Sequence, residues 1–215
     1  MKNEFNIYRL MMILFKLKDN RHYDYMKLLK LYYFAEKYHL RTYGFFMNDD
    51  DYYAMQYGSV ASSTKDILSK SFGFMGNIIK EEETFINDNI SFDKDNFSCY
   101  IGKQNTDDLS MSAIAAIEFA LENFSKFNRN ELSDLTHDYV EWKKHKYQIE
   151  NNKVPRVLES IDDFFLNPDL NDSPYIKEYL KGNDVFAKDK DHTQYVYQNY
   201  LYNKTLSEDL NKIIN

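Results

Sequence analysis

The segment from Asp24 to Gly44 constrains the fold more than any other part of the chain. Asp24 suits a helix N-cap, because its carboxylate can accept hydrogen bonds from the unpaired amides of a first turn. Gly44 suits the end of a helix, where a left-handed residue is common. Between them Tyr25, Leu28, Leu29, Tyr32 and Ala35 recur at helical spacing as one apolar stripe. Leu31, Phe34 and Tyr38 form a second stripe beside it. A helix this broadly apolar has to be covered on more than one side. The spacing therefore predicts a central, buried helix whose remaining arc, Lys27, Lys30, Tyr33 and Lys37, faces solvent.

Other elements arrange themselves around it. Residues 10–15 are a continuous apolar run between Arg9 and Lys16, well short of the ~20 residues of a membrane span. No small-residue cleavage site follows, so residues 5–17 read as a buried first helix of a cytoplasmic protein. The acidic stretch Asp49-Asp50-Asp51 lacks EF-hand spacing and reads as a solvated loop tip. Residues 52–57 suit a strand or an extended approach to a turn at Gly58. Ser62, Ser63 and Thr64 can cap a short helix. Residues 77–79, 84–86 and 97–101 are β-prone and predict a small sheet or hairpin. Ser110 opens a helix carrying Ile114, Ile117, Ala120, Leu121 and Phe124. Asn128 with Glu131 forms a capping box for another, carrying Leu132, Leu135, Tyr139 and Trp142.

The texture changes near Val154. Pro155, Pro168 and Pro174, the three prolines of the chain, all fall beyond it. Residues 157–166 and 175–180 are short helical candidates, and Thr205 with Glu208 resembles a last capping box. The expected fold is mainly α with some β: a helical domain over residues 1–150, built on the central helix with a small sheet or hairpin. A C-terminal appendage of short helices over residues 151–215 completes it.

Composition narrows the function. With 27 basic and 34 acidic residues the formal charge is −7, which disfavours nucleic acid and suits a basic protein partner. The cluster Lys143, Lys144, His145 and Lys146 is short and flanked by Glu141 and Glu150. Cys99 stands alone, so no internal disulfide forms, and no base adjoins it in sequence to activate a nucleophile. No P-loop, G-x-G-x-x-G or G-x-S-x-G occurs. His137, Glu141 and His145 follow i, i+4, i+8 spacing and could present a metal-binding face. The outer pair would lie roughly 12 Å apart along a helix axis, too far for one ion. Thr136 and His137 read instead as a polar packing pair, and Glu141 as a solvated neighbour of His145. Gly58-Ser59-Val60 running into Ser62 could cradle an anion, but an ordinary capped helix is preferred.

Five pieces of the chain, taken together, resemble a known family. Lys27-Leu28-Leu29-Lys30-Leu31-Tyr32-Tyr33-Phe34-Ala35 is similar to the K-L-x-K-L-L-Y-F-A helix of the Panacea, or SocA-like antitoxin, domain. Gly44 stands at the turn after it, and Ala54-Met55-Gln56-Tyr57-Gly58-Ser59-Val60 resembles the A-W-x-x-G-P-V segment. Leu109-Ser110, then Glu131-Leu132, Thr136-His137 and Trp142 follow in the family's order, over residues 5–145 in all. Ser59 replaces the family's Pro and Met55 its Trp. Ser59 gives up the fixed φ of Pro, while Gly58 keeps the permissive position.

The resemblance implies an antitoxin that binds and neutralises a cognate toxin, encoded by a neighbouring gene, through direct protein contact. In one family member a protease receives the toxin. It implies bacterial, phage or mobile-element origin and no catalytic residues; with the residue readings above, no membrane, no cofactor, no metal and no enzyme activity are expected. Tyr33, Lys37, Tyr57, Gly58 and Ser59 are the candidate partner contacts, Tyr being enriched at interfaces. The motif itself comprises Lys27, Leu28, Lys30, Leu31, Tyr33, Phe34, Gly58, Val60, Thr136, His137 and Trp142. An accessory interaction protein that kept the fold without a toxin is the alternative, and a hydrolase ranks third.

Overall fold

The computed structural model describes residues 5–18, 23–72, 78–151, 154–187 and 189–214, with side chains as far as Leu206. Asn6 accepts from the Arg9 amide and opens α1 (Ile7–Leu17), which buries Leu10, Met11, Ile13, Leu14 and Leu17. β1 (Tyr23–Asp24) leads into α2 (Tyr25–Tyr43), the predicted central helix. Its caps are the predicted ones: Asp24 accepts from the Lys27 amide at 2.9 Å, and Gly44 sits at φ +85°.

β2 (Tyr52–Met55) and β3 (Gly58–Ala61) form a hairpin that runs into α3 (Ser62–Leu68). Asp50 is buried, not solvated as expected. It accepts from the amides of Ser63 and Thr64 at 2.9 and 2.8 Å and from the Thr64 hydroxyl at 2.8 Å. The positive end of α3 and its unpaired amides favour a carboxylate there. The cap therefore comes from across the hairpin, and the amides of the supposed anion cradle are already occupied.

α4 (Lys80–Asn89) includes residues 84–86, which had suggested a strand. Glu82 accepts from the Ile79 amide at 3.2 Å, and Glu81 to Glu83 sit at the helix's positive end. These local terms outweigh the β-propensity of one Phe and one Ile. Asn77 lies outside the described residues, and Ile78 and Ile79 belong to no strand. β4 (Ile90–Asp93) and β5 (Ser98–Ile101) pair antiparallel, and β1 joins β5 on its other side. α5 (Met111–Phe124) starts at Ser110 as expected, the hydroxyl accepting from the Ala113 amide at 3.2 Å.

The capping box of Asn128 and Glu131 opens α6 (Arg129–His137), but the helix stops earlier than the sequence suggests. Asp138 turns its carboxylate to the Ile176 amide at 2.7 Å, and Tyr139 is extended. α7 (Val140–Lys143) and α8 (Lys146–Glu150) follow as separate short helices. His137, Glu141 and His145 thus share no helical face, and the metal ladder does not exist. β6 (Arg156–Leu158) replaces the start of a helix expected at residue 157 and adds to β2, giving the sheet order β3-β2-β6. α9 (Ile161–Phe164) and α10 (Pro174–Tyr179) are short, as expected. α11 (Lys190–Ile214) is not: it runs for 25 residues through the supposed capping box. The Thr205 hydroxyl donates back to the Leu201 carbonyl at 3.1 Å, as a threonine inside a helix does.

The apolar stripes of α2 are covered by α1 and α5, where Phe34 stacks on Phe124 with ring centroids 3.9 Å apart. Phe164, Ile176, Phe186 and Val196, from beyond Val154, enter the same buried cluster. Among the described residues no helix is long and apolar enough to cross a membrane.

Candidate functional site

The polar arc of α2 is not a solvated face. Lys30 is 1 % exposed, and Tyr33 and Lys37 are 0 % exposed. The hairpin, α6, α7 and the segment after β6 close over them, and each polar atom finds its partner in a distant part of the chain.

Lys30 donates from Nζ to the Ser59 carbonyl at 2.8 Å and lies 3.5 Å from Thr136 Oγ1. Only glycine fits at position 58 beside them. Its φ is +94°, and a Cβ there would stand 1.8 Å from Thr136 Oγ1 and 2.7 Å from Lys30 Nζ. The Ser59 hydroxyl donates to Glu159 Oε1 at 2.6 Å. A proline at position 59, the family's residue, has no hydroxyl to do this. Tyr33 and Lys37 both donate to Glu141 Oε1, the lysine at 2.5 Å. Lys37 Nζ also lies over the rings of Tyr139, Phe164 and Phe186, at 4.3, 5.4 and 5.6 Å from their centroids. Glu141 is therefore a buried counter-ion, not a solvated neighbour of His145.

The remaining motif residues tie the hairpin to α6 and α7. The Thr136 hydroxyl donates to the Ser133 carbonyl at 2.6 Å, and the Ser133 hydroxyl to the Tyr57 carbonyl at 2.6 Å. Trp142 donates its indole N–H to the Met55 carbonyl at 2.8 Å, and His137 stacks on the indole at 3.9 Å. Lys27, at the start of the arc, is half-buried and donates to the Ser125 carbonyl at 2.6 Å. Leu28, Leu31 and Phe34 are fully buried apolar core, and Val60 nearly so.

Burial governs the electrostatics. It lowers the pKa of Lys30 and Lys37, and the nearby carboxylates, Glu159 and Glu141 respectively, oppose the shift. It raises Glu159, with the Glu141 charge pushing the same way, and it raises the Tyr33 hydroxyl far above its ordinary value. His137 is pushed down to about 4 by burial first and then by the charges of Lys30 and Lys146. Among the described residues, Glu141 Oε2, Glu159 Oε2 and His137 Nε2 are buried without a hydrogen-bond partner. Such atoms cost about 1–3 kcal/mol each.

Three members of this cluster carried no sequence signal. Glu159 follows β6, and its amide donates to the Tyr52 carbonyl at 2.9 Å. Arg41, one turn beyond Lys37, donates to the carbonyls of Phe164, Leu166 and Phe186 and to Asn167 Oδ1, at 2.6–3.2 Å. Asp184 accepts from the Tyr139 hydroxyl at 3.3 Å and the Phe186 amide at 3.1 Å. The arrangement is a closed charge network that fixes α2 to the hairpin and to the C-terminal segment. Lys37 and Glu141 form an ion pair within it, while Lys30 bonds the Ser59 carbonyl and Glu159 accepts from the Ser59 hydroxyl.

Of the five residues expected at a partner contact, Tyr33, Lys37, Gly58 and Ser59 are enclosed, and Tyr57 is exposed at 57 %. The basic cluster is partnered: Lys143 with Asp172, Lys144 with Asp163 and Lys146 with Glu150. Cys99 is buried, its thiol pushed up to about 12 by burial, and it contacts the Tyr23 carbonyl at 3.7 Å. Among the described residues no group of three or more His, Cys, Asp or Glu could hold a metal ion.

A family model described as "Antitoxin SocA-like, Panacea domain" matches residues 28–143. No curated protein and no solved structure matches the chain.

Proposed function

The chain belongs to the SocA-like antitoxin family with the Panacea domain, and we propose that it neutralises a cognate toxin by direct protein contact. The toxin is the product of a neighbouring gene, and the complex forms in the cytoplasm. The observation that carries this reading is the family match over residues 28–143. The internal bonding of the motif supports the same view. Lys30, Tyr33, Lys37 and Trp142 bond Ser59, Glu141 and Met55 inside the core, and Gly58 packs against Thr136 and Lys30, which suits residues that specify a scaffold while its surface does the binding. In this proposal the protein is a binder and not an enzyme.

Co-expression with each neighbouring gene tests it. One neighbour should arrest growth when expressed alone, grow normally with this chain, and co-purify with it as a stable complex. A set of harmless neighbours, or a toxic one that this chain neither binds nor rescues, would overturn the proposal.

A second reading is an accessory interaction protein of a phage or mobile element. It is favoured by α11, which lies outside the family match and exposes Tyr195, Tyr202 and Leu206 on its surface. Under this alternative, changing those three residues to Ser abolishes binding of a non-toxic partner.

A further inference from the structure

The β3-β2-β6 sheet ends in an open edge. In an antiparallel ladder, hydrogen-bonded and non-bonded pairs alternate. The Glu159 amide bonds the Tyr52 carbonyl, and Val157 stands opposite Ala54. Val157 therefore directs its backbone groups toward β2, and Arg156 and Leu158 direct theirs away from the sheet. Among the described residues no strand pairs with that outer side.

The side chains at the edge sort by the same alternation. Tyr52, Ala54 and Glu159 point into the buried face, with Val157 half-buried beside them, while Tyr53, Met55, Arg156 and Leu158 share the outward one. Leu158 is 55 % exposed, and Tyr53 and Met55 are half-buried. Arg156 is exposed, its guanidinium 4.6 Å from the Tyr53 ring centroid. Among the described residues it pairs with no carboxylate. A free row of amides and carbonyls, beside an apolar strip and a cation without a carboxylate partner, matches an extended segment with acidic and apolar side chains. A second copy of this chain fits less well. Its β6 offers another Arg156 and Leu158, and the neighbouring Glu159 is turned into the core.

We propose that the outer edge of β6 is where an extended strand of the toxin docks, an acidic side chain meeting Arg156 and an apolar one packing on Leu158. This rests on the antitoxin reading above. The added strand makes the sheet four-stranded, with backbone hydrogen bonds supplying affinity and Arg156 selecting the sequence.

The test uses the full chain and the neighbouring gene product that the wild-type chain rescues. Leu158→Pro removes an outward N–H that bonds nothing within the sheet, and Arg156→Glu reverses the charge. Each should weaken binding by about tenfold or more, and Arg156→Lys should stay within about threefold of wild type. The urea midpoint of the free Arg156 variants should not move. Amide exchange at Arg156 and Leu158 should slow on complex formation. Should Leu158→Pro fail to fold, Arg156→Glu and the exchange data decide alone. Binding by Arg156→Glu within about twofold of wild type, with those amides still exchanging freely in the complex, overturns the edge proposal and leaves the antitoxin reading standing. A wild-type chain that rescues no neighbour overturns both. A concentration-dependent dimer of the free chain that protects the same amides assigns the edge to a second copy and also overturns the proposal.

Discussion

The two sides of α2 are buried to the same extent by opposite means. On one side Leu28, Leu31, Phe34 and Ala35 meet α1 and α5 through apolar contact. That side gains from every methylene removed from water, and it tolerates small shifts, because no contact there is directional. On the other side Lys30, Tyr33 and Lys37 meet Ser59, Glu141 and Thr136 through hydrogen bonds and one ion pair. Desolvating those charges costs nearly what their attraction returns, so this side adds little net stability when intact. It is sensitive to loss of a single partner, and it fixes one arrangement of the hairpin, α7 and the C-terminal segment. The apolar side makes the helix stable; the polar side makes its surroundings unique.

Removing one charge from the polar side should have the largest effect. Lys37→Met leaves Glu141 buried with Tyr33 as its remaining donor, and urea unfolding should show a loss of about 4 kcal/mol. Adding Glu141→Gln should recover much of it. A Lys37→Met loss below about 1 kcal/mol would erase the contrast between the sides. On the apolar side Leu31→Ala should cost about 3 kcal/mol by the same measurement, with no strong second-site rescue, since the penalty is lost transfer energy plus a cavity.

The third effect depends on pH. His137 titrates near 4 in the folded chain, against about 6.5 when unfolded. As pH falls from 6.5 to 4 the unfolded chain takes up this proton first, so stability declines across that window, by about 3 kcal/mol. His137→Phe keeps a ring on Trp142 and should flatten that part of the stability profile. An unchanged slope would remove His137 from the polar side's account. The smallest change is Tyr33→Phe, which deletes one of the two donors to Glu141 and should lower stability by about 1–2 kcal/mol. Combined with Lys37→Met, its effect should be far from additive, because both donors serve one oxygen.

Helix starts were legible where the signal is local. Asp24, Ser110 and Asn128 each cap within three residues of themselves, so a short window of sequence contains both donor and acceptor. The short pieces were harder. Residues 84–86 went to a helix because of flanking glutamates, β4 exists by pairing with the strand that follows it, and β6 only by pairing with the distant β2. The site was half legible. Its motif residues could be named from their order in the chain, but their burial could not. Lys37 and Glu141 are 104 residues apart, and Ser59 and Glu159 are 100 apart. Nothing within a helical turn of Lys37 reveals that a carboxylate waits for it.

The sequence by itself determined the central helix, its caps, the mainly helical fold and the family. All of these follow from periodicity, local capping and motif order, which are properties of neighbouring residues. Only the tertiary structure decided that Lys30, Tyr33 and Lys37 lie inside, that Glu141 and Glu159 lie with them, and that β6 is left with an open edge. A lysine's place depends on whether a distant carboxylate can compensate its desolvation, and a strand's free edge depends on which strands have already paired. Both are settled when the chain closes on itself.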